Sequence, residues 1–178
     1  MSKLGKKPIS IPKDTKVKLE SGKLILTGPK GSKELSLNDK IFSTSIKENN
    51  LVLELLKKND TTKTLWGTTR SIINSALIGV SLGHEKILEL TGVGFRVNLK
   101  GDVLNLQLGF SHDVSYTIPK DVKINVEKST IIKISGSDKE IVGKVASEIK
   151  NLKPVEPYKA KGIKEKGQFI LRKEGKKK

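Results

Sequence analysis

Hydrophobic and polar residues alternate over four stretches of the chain, and a short polar turn interrupts each stretch. The turns fall at 20–22, 49–50, 101–102 and 128–129. Alternation on both sides of a turn is typical of an antiparallel hairpin that rests one face on a core. The pattern therefore predicts four β-hairpins.

A helical repeat of apolar residues follows the second hairpin, and another follows the fourth. The two repeats comprise Ile72, Ile73, Ala76, Leu77 and Val80, and then Ile141, Val142, Val145, Ala146 and Ile149. Residues at these spacings share one helix face. Ser137 and Glu140 have the spacing of a capping box and Pro154 prevents continuation, so the second helix is predicted over 138–152.

The order of two hairpins and one helix occurs twice. A shift of 80 residues places Val17 on Val97 in the corresponding hairpin. The tetrapeptide IPKD also occurs twice, at 11–14 and 118–121. That match breaks the element order, so we interpret it as a reused strand-entry turn or as chance.

The repeat predicts an α+β fold of two similar domains from an internal duplication, each a small antiparallel β-sheet packed against one α-helix. Basic N- and C-terminal extensions complete the chain. The predicted divisions are an N-terminal domain at 1–82, a C-terminal domain at 83–152 and a basic extension at 153–178. The join near 81–85 is short, which favours a fixed relation between the domains.

The charge of the chain is strongly unbalanced. Among 178 residues, 35 are Lys or Arg and 19 are Asp or Glu, for a formal charge of +16. Residues 1–20 hold six basic and two acidic side chains, and residues 153–178 hold ten and three. Basic ends around a less charged middle indicate a polyanionic partner, nucleic acid before anionic membrane. The lysines at 176–178 have an alternative interpretation as an aid to solubility.

The composition excludes several kinds of site. The chain has no cysteine and two histidines, which rules out disulfides, thiolate metal sites and iron–sulfur clusters and makes a zinc site improbable. We therefore expect no cofactor and no metal. The basic start lacks the apolar core of a signal peptide and no stretch approaches 18 apolar residues, so we expect a cytoplasmic protein with no membrane partner.

No catalytic motif stands out. The phosphate-binding pattern GxxxxGK[ST] is missing, and the glycines at 92–94 lack the third glycine and the helix of a dinucleotide fingerprint. They favour a bulge or close backbone contact in a strand. His84 precedes Glu85 without a second histidine at metalloprotease spacing, and His112 stands alone. We expect that the chain is not an enzyme.

The segment PVEPYKAKGIK at 154–164 follows the second predicted helix. Its prolines stiffen the backbone, Tyr158 offers a planar ring, and lysines stand at 159, 161 and 164. Cations neutralise RNA phosphates while an aromatic ring stacks on an unpaired base. The same letters contain PxxPxK, a polyproline ligand pattern that is common by chance.

These motifs resemble a known family, the sixth protein of the bacterial-type large ribosomal subunit. PVEPYKAKGI is similar to the family's PxEPYKGKGI, and SKLGKKPISIP at the start is similar to SRIGKKPIxIP. The central LELTGVGFR resembles LELxGVGYR, and the closing RKEGK resembles RKxGK. The chain departs from the family at Ala160, usually Gly, and at Lys164 and Glu165, where Arg and Tyr are common.

The resemblance implies a non-enzymatic protein that binds large-subunit rRNA near the stalk base, where translational GTPases dock. Its partners would be that rRNA and neighbouring large-subunit proteins, with GTPases nearby, and we expect no homo-oligomer. The predicted rRNA contacts are Lys153, Tyr158, Lys159, Lys161, Lys164, Arg172, Lys173, Lys176 and Lys177. Secondary candidates are Lys3, Lys6, Lys7 and Arg96.

Two further surfaces and three other functions stay open at this point. The strand at 92–95 and the nearly uncharged helix face of Arg70, Ser71, Asn74 and Ser75 have structural explanations as well as functional ones. A DNA-binding architectural protein is also basic, although neither helix is basic enough to lie in a groove. An enzyme acting on nucleic acid and an anionic-membrane protein are the weaker alternatives.

Overall fold

A computed structural model describes residues 5–20, 22–47, 49–56 and 59–175. The chain divides into two compact units, Met1–Gly83 with Ser137–Lys139 and His84–Gly136 with Glu140–Lys178. The domain bounds expected from the sequence stay predictions beside this division.

The described residues of the first unit form six strands and one helix. They are β1 (Ile9–Ser10), β2 (Lys16–Glu20), β3 (Lys23–Gly28), β4 (Gly31–Ser36), β5 (Phe42–Lys47), β6 (Asn50–Leu55) and α1 (Asp60–Ser81). The strands form two antiparallel sheets of order β2-β3-β4 and β1-β6-β5.

In the second unit, the part of the chain that the structure describes forms seven strands and one helix. They are β7 (His84–Thr91), β8 (Arg96–Lys100), β9 (Val103–Gln107), β10 (Val114–Thr117), β11 (Val122–Glu127), β12 (Ile131–Gly136), α2 (Lys139–Leu152) and β13 (Gly162–Glu165). Their sheets have the orders β10-β9-β8 and β11-β12-β7-β13, again antiparallel.

The two units share one order of elements. In each, a leading strand precedes a three-stranded meander and a hairpin, and the leading strand pairs with the hairpin's last strand, as β1 with β6 and β7 with β12. The prediction of an α+β fold with two similar sheet-and-helix domains is confirmed. Within the described ranges, each unit carries two small sheets rather than one, and β13 is a fourth strand in its sheet without a counterpart in the described part of the first unit.

The predicted hairpins β2–β3, β5–β6, β8–β9 and β11–β12 all form. Their alternation places one face on a core, so that Leu24 and Leu26 of β3 and Leu104 and Leu106 of β9 are fully buried. Burying such side chains contributes about 1.5–3 kcal/mol each. The hydrophobic pattern therefore sets which face of each hairpin points inward.

The helices follow their apolar repeats with two corrections. Ile72 was predicted on the apolar face of α1 but is 42% exposed, whereas Ile73 is fully buried. Helix α2 begins at Lys139, so the N-cap position falls at Asp138 rather than at the predicted Ser137. Both helices pack on their own unit's core, and Ile163 of β13 joins the core of the second unit with no exposed surface.

Candidate nucleic-acid interface

The segment after α2 is a closed loop followed by a strand, and its backbone is hydrogen bonded across itself. The Glu156 N–H donates to the Lys161 carbonyl at 2.9 Å, and the Ile163 N–H donates to the Lys153 carbonyl at 2.9 Å. The Lys173 N–H then donates to the Pro157 carbonyl at 3.0 Å. These bonds fix the loop at 153–161 and bring the end of the described chain beside it.

Gly162 is required at the point where this loop enters β13. Its φ is +138°, and a Cβ there would lie 2.7 Å from Val155 Cα and 2.8 Å from the Pro154 carbonyl oxygen. Both neighbours are backbone atoms, which cannot rotate away. The turn therefore accepts only glycine without a shift of the chain.

The loop presents the predicted RNA-binding side chains to solvent. Tyr158 is 57% exposed, and Lys159 and Lys161 beside it are exposed. After β13 the chain returns to the loop over residues 166–173, which we call the returning segment. Arg172 and Lys173 in this segment are also exposed. The structure therefore brings Tyr158 and four of the predicted cations into one region of the second unit.

Lys164 differs from these cations because an acidic partner faces it. Lys164 and Glu89 are directly opposite each other in the β13–β7 register, and Lys164 Nζ lies 3.2 Å from Glu89 Oε2. An opposite charge across two strands stabilises the pairing. Lys164 thus has an ion-pair partner within the sheet, and its contact with RNA phosphate stays a prediction.

Glu165, one of the three positions that depart from the family pattern, forms two ion pairs. Lys86 Nζ lies 2.7 Å from Glu165 Oε2, and Lys150 Nζ lies 2.9 Å from Oε1. The hydrogen bond from Lys86, followed by that from Lys150, lowers the pKa of the Glu165 carboxyl below its ordinary value. Glu165 therefore ties β13 to β7 and to α2.

Lys153 is half-buried and has a partner within its own unit. Its Nζ lies 4.2 Å from the centroid of the Phe110 ring, a cation–π contact. Arg96 is exposed at the start of β8. The residues at 92–95 before it form a turn rather than the expected strand, because a hydrogen bond from the Phe95 N–H to the Gly92 carbonyl closes the chain on itself.

The N-terminal candidates belong to the other unit. Lys6 and Lys7 are exposed, and the Arg70 guanidinium of α1 donates to the carbonyls of Lys7 and Pro8 at 3.4 Å each. Arg70 thus holds the N-terminal backbone against its helix. The predicted contacts Lys3, Lys176 and Lys177 lie outside the described residues.

Sequence reasoning missed two exposed side chains near the loop. Lys166 follows β13, and Phe169 is 86% exposed three residues later. The charge run from 164 to 166 was an available signal for Lys166. No sequence signal identified Phe169, because an isolated aromatic residue at that position is equally compatible with a place in the core.

No cluster of three or more His, Asp or Glu side chains suited to a metal occurs within 5–20, 22–47, 49–56 and 59–175. No helix in the same part of the chain has the length and apolarity that a membrane span requires. The second unit presents an exposed basic loop on an α+β scaffold, and a basic patch of this kind is typical of proteins that bind polyanions.

Comparison with known proteins identifies the family. The model of the family described as "Ribosomal protein L6" matches residues 91–166, from the end of β7 through β13. The large ribosomal subunit protein uL6 of Novosphingobium aromaticivorans is 42% identical over the whole length of both chains. Those of Chloroherpeton thalassium and Nitratiruptor sp. are 46% and 44% identical, over 99% of this chain and 98% of each relative. The chain belongs to the ribosomal protein L6 (uL6) family.

Proposed function

We propose that this protein is a structural constituent of the large ribosomal subunit and binds large-subunit rRNA through the loop and returning segment of its second unit. The binding site lies near the stalk base and the region where translational GTPases dock. The protein supports subunit assembly and translation in the cytoplasm, beside neighbouring large-subunit proteins and as a single copy. Its role is structural rather than enzymatic.

One observation carries this proposal: a hydrogen-bonded loop holds Tyr158, Lys159 and Lys161 in the solvent on a fixed backbone. A preorganised loop loses little conformational entropy on binding. Lysines neutralise phosphates and release counterions, and the tyrosine ring is available to a base or sugar. The family's membership in the large subunit supplies the polyanion that this loop fits.

We expect fewer phosphate contacts than the sequence predicts, because Lys164 is paired with Glu89 and Lys153 with Phe110. Of the cations predicted from the sequence, four within the described residues are exposed around the loop, at 159, 161, 172 and 173. If these four engage phosphates, the slope of log K against log salt is about −3 to −4. An affinity independent of salt contradicts the mechanism.

The test compares paired charge removals in the full chain. Lys159→Gln with Lys161→Gln should weaken binding to a large-subunit rRNA transcript and make the salt slope shallower by about 1 to 2. Lys16→Gln with Lys18→Gln on β2 is the matched control, because it removes two exposed lysines from the first unit. Equal losses from both pairs would refute the assignment to the loop.

A chain ending at 152 is a poor test of the same proposal. It lacks β13, which buries Ile163 and covers the edge of β7. Loss of binding by that chain is therefore expected from unfolding alone. The charge variants avoid this problem because the four lysines that they replace, at 159, 161, 16 and 18, are all exposed.

Two further measurements separate the finer parts of the proposal. Duplex DNA added as competitor should displace the rRNA poorly, and equal competition supports an architectural DNA-binding protein instead. Chemical footprinting of reconstituted large subunits should show protection at the stalk base and GTPase-binding region. Protection confined to another part of the rRNA refutes that location.

A further inference from the structure

A cleft of about 380 Å³ lies beside the loop, between the end of α2, the start of the loop and the returning segment. Asn151 lines it from the helix, Pro154 and Val155 from the loop, and Gln168 and Phe169 from the returning segment. Its volume is within the range of small-ligand sites, about 300–1,000 Å³. We propose that this cleft receives one unpaired RNA base, which stacks on the ring of Phe169.

The wall that carries Phe169 is held at both ends. The Gln168 N–H donates to the Glu165 carbonyl at 3.0 Å, and the Lys173 N–H donates to the Pro157 carbonyl at 3.0 Å. The residues between these two bonds are therefore tied to β13 at one end and to the loop at the other. The backbone on both sides of Phe169 is therefore tied down before any ligand arrives, which lowers the entropy cost of binding.

Phe169 is 86% exposed and Leu171 is 73% exposed, although both are large apolar side chains. A planar ring in solvent offers a face on which any base can stack. Pro154 and Val155 give the cleft an apolar wall opposite this ring. An unpaired base has a flat apolar face of the matching kind.

The cleft also contains side-chain amides that can hydrogen bond to a base edge. The Oε1 atom of Gln168 accepts from the Glu165 N–H at 3.2 Å. Its amide nitrogen keeps both protons available, since no acceptor for them is found in the described part of the chain. Asn151 adds a second, exposed amide. Amides donate and accept, as recognition of a base edge requires.

The surrounding charge favours a nucleic acid over an apolar peptide. Exposed cations stand before and after Phe169 at 166, 172 and 173, against two exposed carboxylates, Glu156 in the loop and Glu174. The charge of Glu165 is taken up by Lys86 and Lys150. A base in the cleft would therefore place its flanking phosphates beside lysine and arginine.

The experiment measures binding of the full-length protein to a large-subunit rRNA transcript. Phe169→Ala should weaken binding about 5- to 150-fold, the range measured for base–aromatic stacking. Phe169→Leu should weaken it nearly as much, because it keeps apolar volume but loses the planar face. Phe169→Trp should bind within about twofold of the original chain, since a larger ring stacks as well. The salt slope should not change, because stacking releases no counterions.

Leu82→Ala is the matched control, since it removes a 78% exposed apolar side chain from the first unit and should leave binding unchanged. This inference rests on the proposed function, and the outcomes separate the two. If Phe169→Ala binds normally while the Lys159 and Lys161 double variant binds weakly, the cleft proposal is overturned and the RNA interface stands. If neither variant changes binding, both are overturned. If Phe169→Leu binds as tightly as the original chain, Phe169 makes an apolar contact rather than stacking on a base, and the cleft proposal is overturned.

Discussion

Replacing Gly162 by alanine tests whether the loop geometry is as constrained as the structure indicates. The new Cβ would meet two backbone atoms at 2.7 and 2.8 Å, at a residue whose φ is +138°. Side chains in such sparsely populated backbone regions cost about 1–3 kcal/mol. Overpacking against atoms that cannot rotate costs about 1–3 kcal/mol more.

The chain could relieve this contact by moving, but the movement is also costly. The simplest relief lifts β13 from β7, which exposes Ile163, a fully buried residue. That exposure costs about 1.5–3 kcal/mol, before any loss of hydrogen bonds. Keeping the loop in place thus costs about 2–6 kcal/mol, and lifting β13 costs at least about 1.5–3 kcal/mol. Either cost is a large part of the roughly 5–15 kcal/mol that stabilises a typical domain.

The assay is urea unfolding followed by far-ultraviolet circular dichroism, with hydrogen exchange of peptides from 153–165 as the local readout. The control is Gly143→Ala in α2, where the added methyl group meets no atom within 4 Å. That change should stabilise the protein by about 0.5–1 kcal/mol, because alanine is the better helix former. A Gly162→Ala variant within 0.5 kcal/mol of the original chain would refute the reasoning, since that is the ordinary scatter of surface substitutions.

Three further predictions concern side chains with defined partners. Glu165→Gln should cost about 0.5–2 kcal/mol at pH 7, because it removes two partly exposed ion pairs. Those pairs lower the pKa of the Glu165 carboxyl, so the stability that Glu165 contributes is present above its ordinary pKa of 4.5 and is lost as the pH falls through its lowered pKa. In urea unfolding, the stability difference between the original chain and the variant should therefore be smaller at pH 3 than at pH 7. Lys164→Gln should weaken rRNA binding less than Lys161→Gln in parallel titrations, and the reverse order contradicts the assignment of Lys164 to the sheet. Trp66→Phe should cost about 1–3 kcal/mol in urea unfolding because the buried Leu53 carbonyl loses its 2.8 Å hydrogen bond from the indole N–H, and a neutral result contradicts that bond's importance.

The fold was predictable where the apolar pattern is dense. Strand β9 alternates two fully buried leucines with Asn105 and Gln107, the two fully buried leucines of β3 flank the half-buried Ile25, and α2 presents a continuous apolar face. Strand β4 contains one large apolar residue, Leu35, in six positions, so its period is too weak to read. Such edge strands are specified by the neighbour they pair with rather than by their own pattern.

The site was predictable in composition but not in the roles of its charges. The exposed lysines at 159 and 161 follow from their place in a Pro-rich loop. The pairing of Lys164 with Glu89 depends on the register between β13 and β7, strands that lie more than 70 residues apart in the chain. Since no local pattern fixes a long-range register, sequence alone counted Lys164 among the free cations.

Strand β13 also determines at which point of its synthesis the chain can hold the basic loop in its final shape. The ribosome makes β7 at 84–91, but the strand that covers its edge arrives only at 162–165. Until then β7 has one open edge, and the loop that precedes β13 has no sheet to close against. A nascent or prematurely ended chain can therefore complete the first unit without acquiring the basic loop in its final shape. It follows that only chains extended through β13 can hold the loop in its final shape.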